Sequence, residues 1–363
     1  MNISFRNFNL DIFGSSHGDE IGVIIRGFPE GLVIDDDYVR KMMDRRRPGK
    51  SRLTTLRDES DQVIVRSGVI NSCTDGNDII GVIKNTNKRS GDYSSLKDTP
   101  RPSHADLTAF LKYKGKLDMT GGGPFSGRLT APMVYAGSIA KKALEDKGIK
   151  IVSHIRSIGK ISDEPLNQLV YDEKQLASFQ SNKLPVINSD VSKRLIDYID
   201  EVRNKLDSVG STIETAVYDA PAGLGEHSDY SMEGMISRTV FCIPGVKGIE
   251  FGKGFELSKM NGSKANDEIY YDSDMKIKTK TNHSGGILGG ISNGMPITFT
   301  IAMKPTPSIA KKQQTINFAT KENVAIEVVG RHDPCIGIRA VPVVEAMCAL
   351  VIFDYLLEND KHE

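Results

Sequence analysis

Five stretches of this chain concentrate side chains able to move protons or hold anions. The first is Phe13-Gly14-Ser15-Ser16-His17-Gly18, with a histidine between serine and glycine just ahead of an apolar run. Imidazole titrates near neutral pH, so His17 could hand over a proton; a loop histidine without a role fits the same pattern. The second, Arg45-Arg46-Arg47-Pro48-Gly49-Lys50-Ser51-Arg52, places five cations in eight positions. Guanidinium forks match carboxylate and phosphate oxygens in two-point contacts. At a solvated helix end the same residues would only complement the helix dipole. The third is Pro100-Arg101-Pro102-Ser103-His104-Ala105-Asp106. Its two prolines stiffen the approach to His104, and Asp106 is placed to cap a following helix.

The fourth stretch, Gly121-Gly122-Gly123-Pro124-Phe125-Ser126-Gly127-Arg128-Leu129-Thr130, runs into a helical pattern at Ala131. A glycine-rich loop feeding a helix start offers free N–H groups to an anion. It matches neither the P-loop nor the dinucleotide fingerprint. The fifth, Gly330-Arg331-His332-Asp333-Pro334-Cys335-Ile336-Gly337-Ile338-Arg339, holds a carboxylate among arginines, which could serve as a base or simply start a salt-bridged helix. Together the five stretches supply many arginines, several histidines, two aspartates and flexible glycine loops. That set fits a substrate bearing phosphate and carboxylate groups.

Composition narrows the classes. The 363 residues carry 47 Lys plus Arg against 47 Asp plus Glu, a formal net charge of zero. A general nucleic-acid binder would be basic overall, so no nucleic-acid partner is expected. Cys73, Cys242, Cys335 and Cys348 form no CxxC pair and match no zinc spacing with histidine, so no metal is expected and the thiols fit a reducing cytoplasm. The start of the chain has no secretory pattern, and no stretch reads as long and apolar enough to span a bilayer.

The elements that must position these residues follow from periodicity. Ile21 to Gly27 reads as a buried strand, Asp35 to Arg47 as a helix stopped by Pro48-Gly49, and Val63 to Val69 as a strand. Ala131 to Lys147 and Asp190 to Ser208 carry helical apolar stripes. Ile213, Thr215 and Val217 suggest a half-buried strand, Met295 to Lys304 another strand, and Val343 to Leu357 an apolar helix. This order is no regular βαβ series. It predicts an α+β fold, with mixed or antiparallel sheets covered by helices, in one domain over 1–363 with a frayed tail at 358–363.

The motifs resemble those of the chorismate synthase family. Gly14 to Gly18 with Ile21 to Pro29 is similar to its N-terminal motif, and Ser126 to Thr130 with Val134, Gly137, Ser138 and Ile139 to its central one. Arg331 to Cys335, continuing through Glu345-Ala346-Met347, is similar to the third. Arg45 to Ser51, Arg101 to Asp106, Gly285 to Gly290 and Lys304-Pro305-Thr306-Pro307-Ser308 match in the same order, so the resemblance runs from about Phe13 to about Leu357.

The resemblance implies a β-α-β sandwich assembled as a homotetramer in the cytoplasm. It implies loss of phosphate and a ring proton from 5-enolpyruvylshikimate 3-phosphate by 1,4-anti elimination, giving chorismate with reduced FMN required. His17 would protonate or bind the leaving phosphate, His104 would sit by the reduced flavin, and Asp333 would take the ring proton. Arg47, Arg128, Arg331 and Arg339 would hold the substrate's anionic groups. Arg46 and Arg52 would contact NADPH as the flavin's external reductant. Pro124, Phe125, Ser126, Gly289, Lys304 to Ser308 and Arg331 fall on the family's flavin-contact stretches. The chain departs from the commonest pattern at Arg26, Thr120, Pro124-Phe125 and Pro244-Gly245. Two other readings of the arginines stay open at this point: a flavin-independent phospho-lyase or phosphotransferase, and an RNA-binding module using Arg45 to Arg52.

Overall fold

The computed structural model describes residues 1–49, 53–54, 59–86, 98–328 and 332–359. The first third of the chain lays down β1 (Asn2–Ser4), β2 (Asn9–Gly14), β3 (Glu20–Arg26), helix α1 (Asp36–Arg46) and β4 (Val63–Ser67). A short hairpin, β5 (Val69–Ile70) with β6 (Cys73–Thr74), leads to β7 (Ile79–Lys84). These strands form an antiparallel sheet in the order β1-β2-β3-β7-β4. Helix α1 is capped by Asp35, whose carboxylate accepts from the Tyr38 N–H.

Helix α2 (Asp106–Tyr113) precedes two tight turns over 120–129 and then α3 (Thr130–Asp146). The second sheet uses β8 (Lys150–Ile158), β9 (Ile161–Ser162), β10 (Ser211–Tyr218) and β11 (Val246–Phe251). Between these strands lie α4 (Glu173–Ser181), α5 (Ser189–Asn204) and α6 (Met232–Val240). After α7 (Gly262–Ala265) come the hairpins β12 (Ile269–Tyr271) with β13 (Ile277–Thr279) and β14 (Ile287–Leu288) with β15 (Ile291–Ser292). Strand β16 (Ile297–Met303) completes the second sheet, antiparallel in the order β11-β16-β10-β8-β9. A ladder of β17 (Gln313–Ile316) with β18 (Asn323–Ile326) and the long helix α8 (Gly337–Asn359) follow.

Helices fill the space between the sheets. α3 lies on β2, β3 and β7; α8 lies on β8 and β10; α3 and α8 pack on each other, and α1 touches both. The result is an α+β layering of sheet, helices and sheet. α3 and α8 approach so closely at Gly137 that an added Cβ would stand 2.4 Å from the Ala346 carbonyl oxygen, so that contact admits only glycine.

Two expectations need correction. Seven of the eight β10 residues are buried, not half of them. Its Ile213 and Val217 belong to the main core, while Ala216 and Tyr218 belong to a second cluster with Val152, Leu166, Leu176 and Phe179. The alternation therefore separates two covered faces rather than a wet and a dry one. The second concerns α8, whose 18-residue window of mean hydropathy 2.0 is long and apolar enough to cross a membrane. That window is 94% buried inside the protein, which makes α8 a core helix. α8 also starts at Gly337, well before Val343, and absorbs Pro342 in its second turn. At the other end it runs to Asn359, so Glu358 is helical, while 360–363 lie outside the described residues.

Candidate active site

The loop after β2 is folded on itself and on the glycine run. The Gly18 N–H donates to the Ser15 carbonyl at 3.1 Å and to its Oγ at 3.0 Å. Ser16 Oγ donates to the Gly121 carbonyl at 3.2 Å and lies 3.1 Å from His17 Nδ1. Gly121 has φ of 63°, and an added Cβ there would meet the His17 ring at 2.0 Å. The triple glycine thus serves close approach of the histidine loop, as well as a tight turn.

Gly121 in turn lines a cavity of about 660 Å³, in the range of small-molecule sites. Arg46, Arg101, Arg128, Lys304 and Arg339 bring cations to its wall, beside His104, His332, Glu59 and Asp333. Pro124, Phe125, Ile243, Met303, Ile336 and Val343 add apolar surface.

Each of the four arginines is held by an acid. Arg46 sits at the end of α1 with 1% exposure, its Nη1 3.2 Å from Asp61 Oδ2. Burial presses its guanidinium below the ordinary range, helped by the like charges of Arg339 and Arg128 and opposed by Asp61 and Glu59. Arg46 Nε has no hydrogen-bond partner among the described residues, which leaves it for a ligand. Arg128 bonds Asp61 through Nη1, lies 3.7 Å from Glu59 Oε2 through Nη2, and donates from Nε to Asn85 Oδ1 at 3.0 Å. Arg339 donates to Asp333 Oδ2 at 2.7 Å and to the Arg46 carbonyl at 3.0 Å.

His104 belongs to a second knot. Its Nδ1 is 2.7 Å from Asp106 Oδ1, and Arg101 forks onto the same carboxylate at 2.7 and 2.9 Å. Arg101 also reaches Ser308 Oγ at 3.1 Å. Burial opposes ionisation of Asp106, but Arg101 and His104 outweigh it and hold the carboxyl well below its usual range. Asp106 does not cap α2 as the sequence suggests: Ala105 holds that position without a side-chain bond, and the Asp106 carboxylate is spent on Arg101 and His104. Lys304 bonds the carbonyl of Ser103, a residue with φ of 58°, and burial lowers the ammonium from its ordinary value.

Of the residues singled out from sequence, His104, Pro124, Phe125, Ser126, Arg46, Arg128, Lys304, Thr306, Pro307, Ser308, Asp333 and Arg339 line one cavity. His17 stands against its Gly121 wall. Arg47 pairs with Asp44 at 2.9 Å and faces a neighbouring cleft of about 300 Å³ that shares Arg339. Gly289 lies at the exposed turn between β14 and β15, and Pro305 is exposed. Arg26 pairs with Asp11 and Asp78 at the first sheet. Arg52 and Arg331 lie outside the described residues. Arg45 and Arg46 form no solvated basic face, because Arg45 is tied to buried Glu345 and Arg46 is sealed. Glu59, Asp61 and Asn85 escaped the sequence reading. All three touch Arg128, 43 to 69 positions away in the chain, and no local pattern announces them.

Comparison with known proteins agrees with this architecture. Residues 8–357 match the family described as chorismate synthase. The chain is 44% identical to chorismate synthase of Methanocaldococcus jannaschii, over 97% of this chain and 95% of that protein. It is 44% identical to that of Christiangramia forsetii, over 97% and 96%. A crystal structure of chorismate synthase superposes with a TM-score of 0.76 at 30% identity, covering 98% of this chain and 93% of that one. With motifs, layered fold and near-complete coverage in agreement, the chain belongs to the chorismate synthase family.

Proposed function

We propose that this protein is a carbon–oxygen lyase. It converts 5-enolpyruvylshikimate 3-phosphate to chorismate by anti 1,4-elimination, the last step of the shikimate pathway towards aromatic amino acids. The observation that carries the reading is one cavity in which Arg46, Arg101, Arg128, Lys304 and Arg339 converge beside His104 and Asp333. A substrate with two carboxylates and a phosphate needs such a set, and fixed cations cost no reorganisation when charge moves during reaction.

The residues divide the work. Ser16 Oγ donates to Gly121, so it is left to accept from His17 Nδ1–H, and Nε2 becomes the atom that carries a proton to the leaving phosphate. Asp106 and Arg101 together orient the His104 ring through Nδ1, which leaves Nε2 on the far side of the ring. Asp333, clamped by Arg339, is the carboxylate for the ring proton. In this reading Pro124, Phe125, Ser126 and Thr306 to Ser308 would hold the ring system of reduced FMN, and the unpartnered Arg46 Nε is a donor that an acceptor would satisfy. When bound, reduced FMN supplies electron density that eases loss of phosphate. The same family reading gives NADPH as external reductant, a cytoplasmic setting and a homotetramer.

The test is anaerobic assay of the purified protein with substrate, FMN and dithionite. Chorismate should form only with reduced flavin. Equal turnover without flavin would reject the flavin requirement, and none in its presence would reject the substrate. His17→Ala and His104→Ala should each lose on the order of 10²–10⁴ in turnover while staying folded.

A further inference from the structure

We propose that Asn85 is a positioning residue, which sets the loop carrying His17 in register with Arg128. This inference rests on the roles just proposed for those two residues.

Asn85 follows β7 and is 9% exposed. Its Nδ2 donates to the Ser15 and Gly18 carbonyls, at 3.0 Å each, so it grips both ends of the loop around His17. Its Oδ1 accepts from Arg128 Nε at 3.0 Å. The orientation of the amide is unambiguous. Both loop partners are carbonyls, which only accept, and guanidinium only donates. One rigid amide plane therefore fixes the distance between a proton carrier on the loop after β2 and an anion holder in the turn before α3. Its own backbone is anchored too, by an N–H bond to the Asp19 carbonyl at 3.0 Å.

Misplacement by about 1 Å of a group far from the chemistry can cost on the order of 10²-fold in rate. Aspartate at 85 would keep an acceptor for Arg128 but would set a carboxylate against two carbonyl oxygens. It should release the His17 loop and leave the anion holder in place.

The experiment compares wild type, Asn85→Asp, His17→Ala and the double variant, with thermal melting to verify folding. Asn85→Asp should lower kcat roughly 10- to 100-fold while KM changes less than about 3-fold. In the His17→Ala background the added loss should be under about 3-fold, because the effect runs through His17. Multiplicative losses, or a wild-type kcat in Asn85→Asp, would overturn the inference. Asn85→Ser, which removes the loop bonds without adding charge, enters the same cycle should Asn85→Asp fail to fold. The ring ¹⁵N shifts of His17, assigned through His17→Ala, give a readout independent of turnover. They should move in Asn85→Asp; unchanged shifts would count against the positioning role even if the wild type proved inactive. An inactive wild type would instead sink the proposed function.

Discussion

At the scale of single residues, the site's four arginines each have an acid partner before a ligand arrives. Asp61, fully buried, touches both Arg46 and Arg128, and Glu59 supports the second. Asp61 holds this place with φ of 48°, a conformation costly for a non-glycine residue and usually kept only where surroundings enforce it. Asp106 does the same for Arg101 and His104. Removing the charge of Asp106 should therefore act through His104. Asp106→Asn would remove the carboxylate that orients the imidazole and holds Arg101 beside it. Turnover should fall on the order of 10²-fold or more, with little further loss in the His104→Ala background. Steady-state assay of the single and double variants checks this, and additive losses would assign Asp106 a purely structural part. The histidines, the glycine loop and Asp333 were legible in the sequence because each lies in a short local pattern. Asp61 and Asn85 were not, because what makes them matter is a partner brought from a helix or loop distant in the chain.

At the scale of elements, the arginines owe their placement to a buried clamp. Glu345 on α8 is 1% exposed and bonds Arg45 of α1 at 2.7 and 2.8 Å. It also bonds Lys141 of α3 at 2.7 Å and the Ser153 N–H of β8 at 3.1 Å. Four elements meet on one carboxylate, and Arg45 is the immediate neighbour of Arg46. Burial opposes the charge, yet Arg45 and Lys141 hold the carboxyl down to about 2. Glu345→Ala would strand a guanidinium and an ammonium in the interior, a loss of about 3–5 kcal/mol. The melting temperature should drop on the order of 10 °C, read by calorimetry; a shift within 2 °C or so would show that the clamp contributes little. Because the native pKa lies below the unfolded one, this stabilisation is present above the usual glutamate range and fades as pH falls towards about 2. The helices themselves were readable: the charged ends and Pro-Gly stop that predict Asp35 to Arg47, and the apolar stripe that predicts Ala131 to Lys147, match α1 and α3 within a residue or two. The β10 burial and the early start of α8 were not readable. Periodicity reports that a face is covered, but not that the opposite face is covered by something else.

At the scale of the molecule, the two sheets are secured differently. The first packs on α3, whereas the second, besides packing on α8, carries the segment around 163–188 on its outer face, pinned by polar bonds. His154 is fully buried there, with Glu214 Oε2 2.9 Å from Nε2 and Asp163 Oδ2 3.4 Å from Nδ1, and its ring stacks on Phe179. Asp163 accepts from the Ile187 and Asn188 N–H groups, and Glu214 from that of Leu166, so the cluster ties the covering segment to β8 and β10. Burial alone would lower the imidazole's pKa, but two carboxylates raise it above the ordinary 6.5. A raised native pKa makes the stabilisation complete below the unfolded value and removes it as pH climbs through the native one. Each pH unit between the two values should cost about 1.4 kcal/mol of unfolding free energy. Thermal melts of the wild type at constant ionic strength should therefore decline from pH 6.5 upward. His154→Gln, less stable at every pH, should lack that decline. Parallel profiles for the two proteins would mean that this histidine does not titrate in the folded state, and that the outer segment is held by packing on Phe179 and Leu166 instead of by charge.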